Sequence, residues 1–170
     1  MEVNELGKRK SEVYKQRYEN FRKDVNIHSH YITSDSESDL MGVTFAFVCI
    51  DSGISRAEIF ELLIRLKIPF IDLGMGLDRS VGPISGTLRT TYFATDTARE
   101  IVNKRLAPLS DIPDDEYKNN IQISELNALN ACLGIIKYKQ LRGFYVDDNS
   151  YYHTLFNIDG PNCVGENGKD

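Results

Sequence analysis

The sequence predicts an α/β fold built around one βαβ unit, and three consecutive segments lead to that prediction. Residues 45–50 form a nearly continuous apolar run, which is typical of a parallel strand covered on both faces. Apolar residues then recur at helical spacing within residues 59–66. A second apolar strand covers residues 70–73, directly after Pro69, which stops the helix. Strand, helix and strand in this order form a βαβ unit.

The predicted functional edge lies where the strands of this unit end. Asp51 ends the first strand, and Ser52 and Gly53 provide a turn and an N-cap for the helix. The second strand is expected to close on a turn that contains Gly74 and Gly76. Open α/β sheets bind their ligands at the carboxyl ends of parallel strands. We therefore expect Asp51 and the glycine turn to share one functional edge.

The composition is that of one ordinary globular domain, since the 170 residues are 41% hydrophobic and 26% charged. We expect the domain to cover residues 1–158 and residues 159–170 to form a frayed polar tail. Residues 1–10 are polar, unlike a signal peptide, and the apolar runs are only strand-sized, so a cytoplasmic location without a membrane segment is expected. The net charge of −5 argues against non-specific binding to nucleic acid.

Cysteine and histidine residues give little indication of a metal site. Cys49 and Cys132 lie in apolar segments and are predicted to be small core residues, whereas Cys163 lies in the polar tail. The sequence contains no CxxC pair, so structural zinc is not expected. His28 and His30 would share a face of a strand and a metal site there is conceivable, but no acidic or thiol partner accompanies them at ligand spacing. Surface histidines are the commoner explanation of such a pair.

Further helices and strands are expected on both sides of the βαβ unit. Predicted helices run from residue 11 to about 22, from Thr95 or Asp96 to about 104, and from 122 to about 141. Predicted strands cover residues 25–28, 84–93 and 151–158. Residues 33–39 are expected to form a loop or a capped helical turn. Residues 106–120, with two prolines and an acidic run, are expected to form a long mobile connection.

The last predicted helix carries a broad apolar face. The residues assigned to this face are Leu126, Ala128, Leu129, Ala131, Leu133, Ile135 and Ile136. Gly143 follows the helix at the position that a C-cap glycine uses.

Two motifs around the βαβ unit resemble the ThiF/MoeB/HesA superfamily of adenylyltransferases, which includes the ubiquitin-activating enzymes. In that superfamily a strand ends in a D-N-x-x-x-R turn, and a later strand runs P-φ-φ-x-x-G, where φ is apolar, before a crossing to G-x-φ. Asp51 and Arg56 match the first motif, and Pro69, Gly74 and Gly86 follow at matching distances. The resemblance implies a three-layer Rossmann-like partial sheet, mostly parallel with an antiparallel C-terminal part and with helices on both faces.

The resemblance also implies roles for individual residues. Asp51 falls on the aspartate that approaches the Mg²⁺ and phosphates of ATP, so it is the expected metal ligand, and Asp51 and Arg56 are the expected catalytic residues. Residues 7–12 are similar to the superfamily's G-x-x-K-x-E, which makes Lys10 the counterpart of its phosphate-contacting lysine. The expected nucleotide-binding residues are Lys10, Asp51, Gly74 and Gly76. Adenylation of a carboxylate expels pyrophosphate, so Mg²⁺ held by a carboxylate and nearby cations suit this chemistry.

The chain also departs from the superfamily pattern. Ser52 stands where the superfamily usually has asparagine, and the sequence contains no G-x-G-G-x-G phosphate loop, no strand before such a loop and no acidic residue for the ribose. The resemblance covers residues 5–144 and only the C-terminal half of the superfamily's domain. Residues 106–120 would correspond to the crossover loop over the tail of a ubiquitin-like protein, and they contain no cysteine for a thioester step.

Two functions follow from this resemblance. The first is an ATP-dependent adenylyltransferase that activates the C-terminal carboxylate of a ubiquitin-like or sulfur-carrier protein and is inactive until another chain supplies the glycine-rich half. The alternative is a non-catalytic interaction or dimerisation module; because a sheet cut through its middle exposes an edge, a homodimer is then expected. An unrelated dinucleotide-binding protein is disfavoured, since Gly74 and Gly76 are followed by no third glycine at the required spacing. Neither a membrane nor nucleic acid is an expected partner.

Overall fold

The computed structural model describes residues 5–79, 82–110, 123–160 and 162–167. The chain divides into two compact units, residues 1–32 and residues 33–170. The prediction of one domain over residues 1–158 stays a prediction.

The first unit contains one helix, α1 (Lys10–Tyr18), among its described residues. This helix is shorter than predicted, and Phe21 beyond its end is 75% exposed. The strand predicted over residues 25–28 is wrong, because these residues have no regular structure. Alternation alone does not make a strand, since a strand also needs a neighbour for its backbone hydrogen bonds. The predicted surface position of His28 and His30 is confirmed, and their rings lie edge to face with centroids 5.6 Å apart.

The described part of the second unit combines a mixed sheet with helices. Its strands are β1 (Ala46–Val48), β2 (Phe70–Asp78), β3 (Ser85–Phe93), β4 (Tyr151–Asn157) and β5 (Asn162–Asn167). Its α-helices are α2 (Gly53–Arg65), α3 (Ala98–Asn103) and α4 (Ser124–Leu141). A short 3₁₀-helix at Ser36–Leu40 occupies the place of the predicted loop or capped turn.

The sheet has the order β1-β2-β3-β4-β5. Phe70 contacts Phe60 of α2 on one face, whereas Leu73 lies beside Gly134 of α4 on the other. Alternate residues of a strand point to opposite faces, so the sheet lies between two helical layers. This confirms the three-layer α/β fold with helices on both faces. β1 and β2 are parallel, and the other three strand pairs are antiparallel, so the parallel portion is smaller than expected.

The main hydrophobic core lies between the sheet and the layer formed by α2 and α3. Phe60, Phe70 and Phe93 pack with ring centroids 4.5–4.8 Å apart, and each is at most 1% exposed. Ala98 and Ile101 of α3 complete this cluster. Aromatic burial of this kind dominates core energetics, so this face of the sheet holds the βαβ unit together.

Helix α2 begins and ends for identifiable local reasons. The predicted N-cap is confirmed, because the Ser52 hydroxyl accepts a hydrogen bond from the Ser55 N–H at 3.3 Å. Leu62 and Leu63 of the predicted apolar repeat are buried. The helix ends before Lys67, whose φ of +55° is incompatible with a right-handed helix.

The face of α4 that lies against the sheet differs from the predicted apolar face. Its buried residues are Asn130, Gly134 and Lys137, whereas Ile135 and Ile136 are each 45% exposed. Ala128 and Ala131 are exposed as well, while Leu126, Leu129 and Leu133 are half-buried. The prediction was wrong for the exposed residues because apolar patterning takes no account of buried polar residues that have partners.

The end of α4 agrees with the sequence. Gly143 has φ +73°, its N–H donates to the Gln140 carbonyl, and the Phe144 N–H donates to the Lys139 carbonyl, both at 2.9 Å. These two bonds form a Schellman motif, so the predicted C-cap glycine is confirmed.

Three predictions about individual segments are wrong. Gly74 and Gly76 form no turn, because β2 continues through them to Asp78 and pairs with β3. The polar tail is not frayed over residues 162–167, which form β5 against β4, while residues 161 and 168–170 lie outside the described residues. The core positions expected for Cys49 and Cys132 are wrong because both are exposed, as is Cys163. In the first two cases an antiparallel neighbouring strand supplies the backbone hydrogen bonds, and the local sequence does not indicate that neighbour.

The predicted mobile connection lies mostly outside the described residues, which resume at residue 123 after residue 110. Its described beginning is packed, since Ala107 is 7% exposed and belongs to the core.

None of the helices in the described part of the chain combines the length and apolarity needed to cross a membrane.

Candidate functional site

Asp51 lies at the carboxyl end of the parallel pair, as predicted. Its side chain is exposed, and its Oδ1 accepts a hydrogen bond from the Ser52 N–H at 3.0 Å. Ser52, and not Asp51, supplies the side-chain cap of α2. The Asp51 carboxylate therefore lies at the positive end of the α2 dipole without being used as the cap, and it is accessible to a ligand.

Arg56 lies behind Asp51 and is only 4% exposed. Its Nε donates to Asp72 Oδ1 at 3.1 Å, and its two Nη groups donate to the carbonyls of Pro108, at 2.9 Å, and Ile50. Ile50 directly precedes Asp51, so Arg56 holds the backbone on which Asp51 sits. A direct contact of Arg56 with a nucleotide stays a prediction.

Asp72 receives a second arginine on its other oxygen. Arg89 Nη2 lies 2.5 Å from Asp72 Oδ2, and Arg89 Nη1 donates to the Leu106 carbonyl at 2.9 Å. We call Arg56, Asp72 and Arg89 the Arg–Asp–Arg cluster. Burial raises the pKa of Asp72 and lowers the pKa of Arg89, while their mutual attraction opposes both shifts. Two guanidinium groups against one carboxylate leave the cluster with a formal net positive charge.

The cluster joins segments that are distant in the sequence. Arg56 is on α2, Asp72 on β2 and Arg89 on β3, and their backbone partners lie at Ile50 and in residues 106–108. Arg56 was predicted from the sequence as a site residue, whereas Asp72 and Arg89 were not. The available signal was Asp72 itself, because a carboxylate within the apolar run of β2 requires a buried partner.

Gly74 and Gly76 differ in their surroundings although both lie in β2. A Cβ atom on Gly74 would overlap the guanidinium of Arg89, so glycine here lets Arg89 cross the strand and reach Asp72. A Cβ atom on Gly76 would meet no atom within 4 Å. The structure thus gives a packing reason for Gly74, and nucleotide binding by either glycine stays a prediction.

Lys10 is the first residue of α1 and is exposed. It belongs to the unit formed by residues 1–32, and its phosphate contact stays a prediction.

Known proteins resemble this chain in fold but not detectably in sequence. No protein-family model matches it, and no curated protein is significantly similar to it. Several solved structures of E. coli MccB do match. MccB with ATP has a TM-score of 0.59 at 14% identity, covering 98% of this chain and 50% of that one. MccB with MccA-N7isoASN has a TM-score of 0.60 at 14% identity, and the match covers 98% of this chain and 51% of that one. MccB with AMPCPP and MccA has a TM-score of 0.57 at 15% identity, and the match covers 98% of this chain and 50% of that one.

At this identity the likeness concerns the fold alone. The chain spans about half the length of the MccB chains that it matches. The mixed sheet between two helical layers is therefore a Rossmann-like fold that this chain shares with part of MccB.

Proposed function

We propose that this chain is part of a ThiF-type adenylyltransferase that uses ATP to activate the C-terminal carboxylate of a ubiquitin-like or sulfur-carrier protein. In this proposal the chain is inactive alone, and another chain completes its nucleotide site. The observation that carries the proposal is the exposed Asp51 carboxylate at the carboxyl end of β1, on backbone held by a buried arginine.

The chemistry of Asp51 suits magnesium. Mg²⁺ in nucleotide sites is usually bound through one or two carboxylates together with phosphate oxygens and water. The Asp51 carboxylate is exposed, and the N-terminal end of α2 beside it favours negatively charged groups such as phosphate. Bound Mg·ATP would supply the adenylyl group and the pyrophosphate leaving group.

The Arg–Asp–Arg cluster also supports the proposed site, through the backbone that precedes Asp51. Arg56 fixes Ile50, the residue before Asp51, and the net positive charge of the cluster favours an anion at this edge. We propose that Arg56 acts through this backbone contact, and that Asp51 is the group that meets the metal. We also propose Lys10, Gly74 and Gly76 as residues that contact the nucleotide.

The proposed partners are supported by the part of MccB that this chain matches. The matched MccB structures contain ATP, AMPCPP or MccA, and this chain spans about half of their length. We propose that a second chain contributes the glycine-rich phosphate loop, which this sequence does not contain. The modifier protein would present its C-terminal tail near the segment around residues 106–110.

Calorimetry with Mg·ATP tests the role of Asp51. We expect weak, saturable heat with the wild-type protein, and we expect Asp51→Ala to abolish its magnesium-dependent part, because the metal loses its carboxylate. Glu125→Gln is the matched control, since Glu125 is an exposed carboxylate of α4 that is not among the residues proposed for the site.

Two results would contradict the proposal. Equal heats for wild type and Asp51→Ala, or no heat with the wild-type protein, would remove Asp51 as the metal ligand. Robust ATP–pyrophosphate exchange by the purified chain alone would refute the idea that its site is incomplete.

The exposed edge of the sheet favours a second candidate function, a non-catalytic dimerisation module. β1 lies at one end of the sheet, and its Phe47 is 39% exposed within an aromatic group that includes Phe45 and Tyr138. Among the described residues no strand pairs with the outer side of β1, and an edge strand with exposed apolar side chains favours association with a second copy.

Sedimentation tests this second function. We expect self-association at concentrations on the order of tens of micromolar, weakened by Phe47→Lys. Val164→Lys, at an exposed apolar residue of the other edge strand, β5, distinguishes association through β1 from association through β5. A clean monomer for the wild-type protein would argue strongly against the module.

A further inference from the structure

A cavity of about 330 Å³ lies on the face of the sheet that α4 covers only in part. Helix α4 packs mainly on β2 and β3, whereas the cavity lies over β3, β4 and β5. Its walls come from the C-terminal half of α4 and from residues 146–149. The apolar lining residues are Leu88, Leu133, Ile136, Val146 and Phe156.

The space exists because β5 presents small residues to this face. Cys163 pairs with Phe156 and Gly165 pairs with Thr154, and paired residues point to the same face of a sheet. A Cβ atom on Gly165 would overlap the ring of Tyr151, which also lines the cavity. The cavity therefore exists because the β5 side chains on this face are small and because α4 packs mainly on β2 and β3.

Charged groups lie at one side of this apolar space. Lys137 is 7% exposed, and its Nζ lies 2.8 Å from Asp147 Oδ2. A second cavity, of about 260 Å³, shares Lys137, Asp147 and Tyr151 with the first. Asp148 also lines the first cavity and is exposed. The first cavity therefore contains one ammonium group and two carboxylates, which leaves one negative charge in excess.

We propose that this cavity is a binding site for an organic ammonium ion, a primary amine attached to an aliphatic or aromatic body. The apolar walls would bury the body, and the ammonium would donate to Asp147 and Asp148. Lys137 already neutralises part of the charge of Asp147 at 2.8 Å, so Asp148 is the main counter-ion for the ligand. An organic carboxylate of the same size is rejected, because it would bring a third negative charge to the site.

The size of the cavity agrees with this class of ligand. Small-molecule sites are mostly apolar spaces of roughly 300–1,000 Å³ with a few placed polar groups. This cavity lies at the lower end of that range, which favours a body of a few carbon atoms over a large cofactor. Asp51 does not line this cavity, so the test of ammonium binding is independent of the test of the proposed adenylyltransferase.

The test is an NMR titration of the full chain with methyl groups labelled in Leu, Ile and Val. The probes are n-hexylammonium, hexanoate and Nα-acetyl-lysine methylamide. We expect saturable shifts at Leu133, Ile136 and Val146 with n-hexylammonium and none with hexanoate. Tighter binding of the lysine derivative than of the free amine would identify a lysine side chain as the source of the ammonium; weaker binding would identify a free amine.

Two variants separate the contribution of the Asp148 charge from that of the cavity volume. Asp148→Asn is expected to weaken n-hexylammonium binding about tenfold, as loss of a charge-assisted hydrogen bond would. Cys163→Trp fills the cavity without changing its charge and is expected to abolish the shifts. Glu125→Gln, an exposed carboxylate on α4 outside the lining, is expected to leave the affinity unchanged.

Several results would overturn the proposal. They are equal binding of hexanoate, shifts located at methyl groups outside the cavity, no saturable shift with either amine, and unchanged affinity in Asp148→Asn. The methyl spectra of the free variants show in the same experiment whether each variant is folded, so a loss of binding is not confused with a loss of structure.

Discussion

Among single residues, Asp72 carries a high desolvation cost, because its carboxylate lies in the protein interior. It is fully buried, and it is compensated by two arginines, each of which also donates to a backbone carbonyl. Arg89 Nε is buried without a hydrogen-bond partner among the described residues. Burying charged groups is costly unless each one is paired and hydrogen-bonded. The Arg–Asp–Arg cluster satisfies this condition in large part, and it ties the residue before Asp51 to the rest of the fold.

The two glycines of β2 offer a matched test of this cluster. Gly74→Ala is expected to lower the free energy of unfolding by about 1–3 kcal/mol, because its Cβ would displace the guanidinium of Arg89 from Asp72. Gly76→Ala is expected to be neutral within about 1 kcal/mol, since no atom lies near its Cβ. Urea denaturation measures both. Equal losses would show that Gly74 does not make room for Arg89.

His153 predicts a pH dependence of stability. Its ring is 5% exposed, with Nδ1 2.8 Å from Thr91 Oγ1, and burial lowers its pKa below the usual value. Below about pH 6.5 the unfolded chain therefore binds a proton that the folded chain does not, so stability falls as pH falls. The loss is at most about 1.4 kcal/mol per pH unit for this one group, and it stops once pH is below the folded pKa.

The corresponding variant is His153→Asn, which retains a polar group near Thr91. Its free energy of unfolding, measured by urea denaturation between pH 7 and pH 5, is expected to decline less steeply than that of the wild-type protein. His28 and His30 are present in both proteins and are exposed, so they cancel in the comparison. Parallel pH profiles would show that His153 does not carry the effect.

At the scale of elements, the start of α2 separates a structural residue from a candidate ligand. Ser52→Ala is expected to cost about 1 kcal/mol, because the helix loses its side-chain cap. Asp51→Asn is expected to cost less than about 0.5 kcal/mol, since an exposed charge near a helix N-terminus contributes only a few tenths. Thermal and urea unfolding check both. A larger loss for Asp51→Asn than for Ser52→Ala would make Asp51 the helix cap and weaken its assignment to magnesium.

Helix α4 shows why an apolar pattern can predict a helix correctly and its buried face incorrectly. Asn130 donates to the Gly74 carbonyl at 3.1 Å, Gly134 admits Leu73, and Lys137 pairs with Asp147. Each of these contacts needs a partner that lies outside α4 and at least ten residues away in the sequence. The helical period and the C-cap glycine are local properties, so both were predictable.

At the scale of the whole molecule, β5 completes the sheet with residues that read as a polar tail. Deleting residues 161–170 is expected to lower the free energy of unfolding by about 1–3 kcal/mol, because several cross-strand pairs of roughly 0.2–1 kcal/mol each are lost. Deleting only residues 168–170 is the control and is expected to be neutral. An unchanged urea midpoint after the longer deletion would support the frayed tail that the sequence predicts.

The order of the strands also decides where the site lies. β1 and β2 provide the parallel edge with Asp51, and the antiparallel pairing of β3 draws Gly74 and Gly76 into the sheet and away from any turn. The chain spans about half of the length of the MccB chains that share this fold.

Four features were predictable from short stretches of sequence: the βαβ unit, the N-cap at Ser52, the C-cap at Gly143 and the position of Asp51 after β1. These features depend on apolar period, capping chemistry and proline placement, all of which act within a few residues. The partners of Arg56, the strand β5 and the polar face of α4 are visible only in the folded chain. Each of those depends on groups that are distant in the chain, because a buried charge or an edge strand is stable only where a specific neighbour satisfies it.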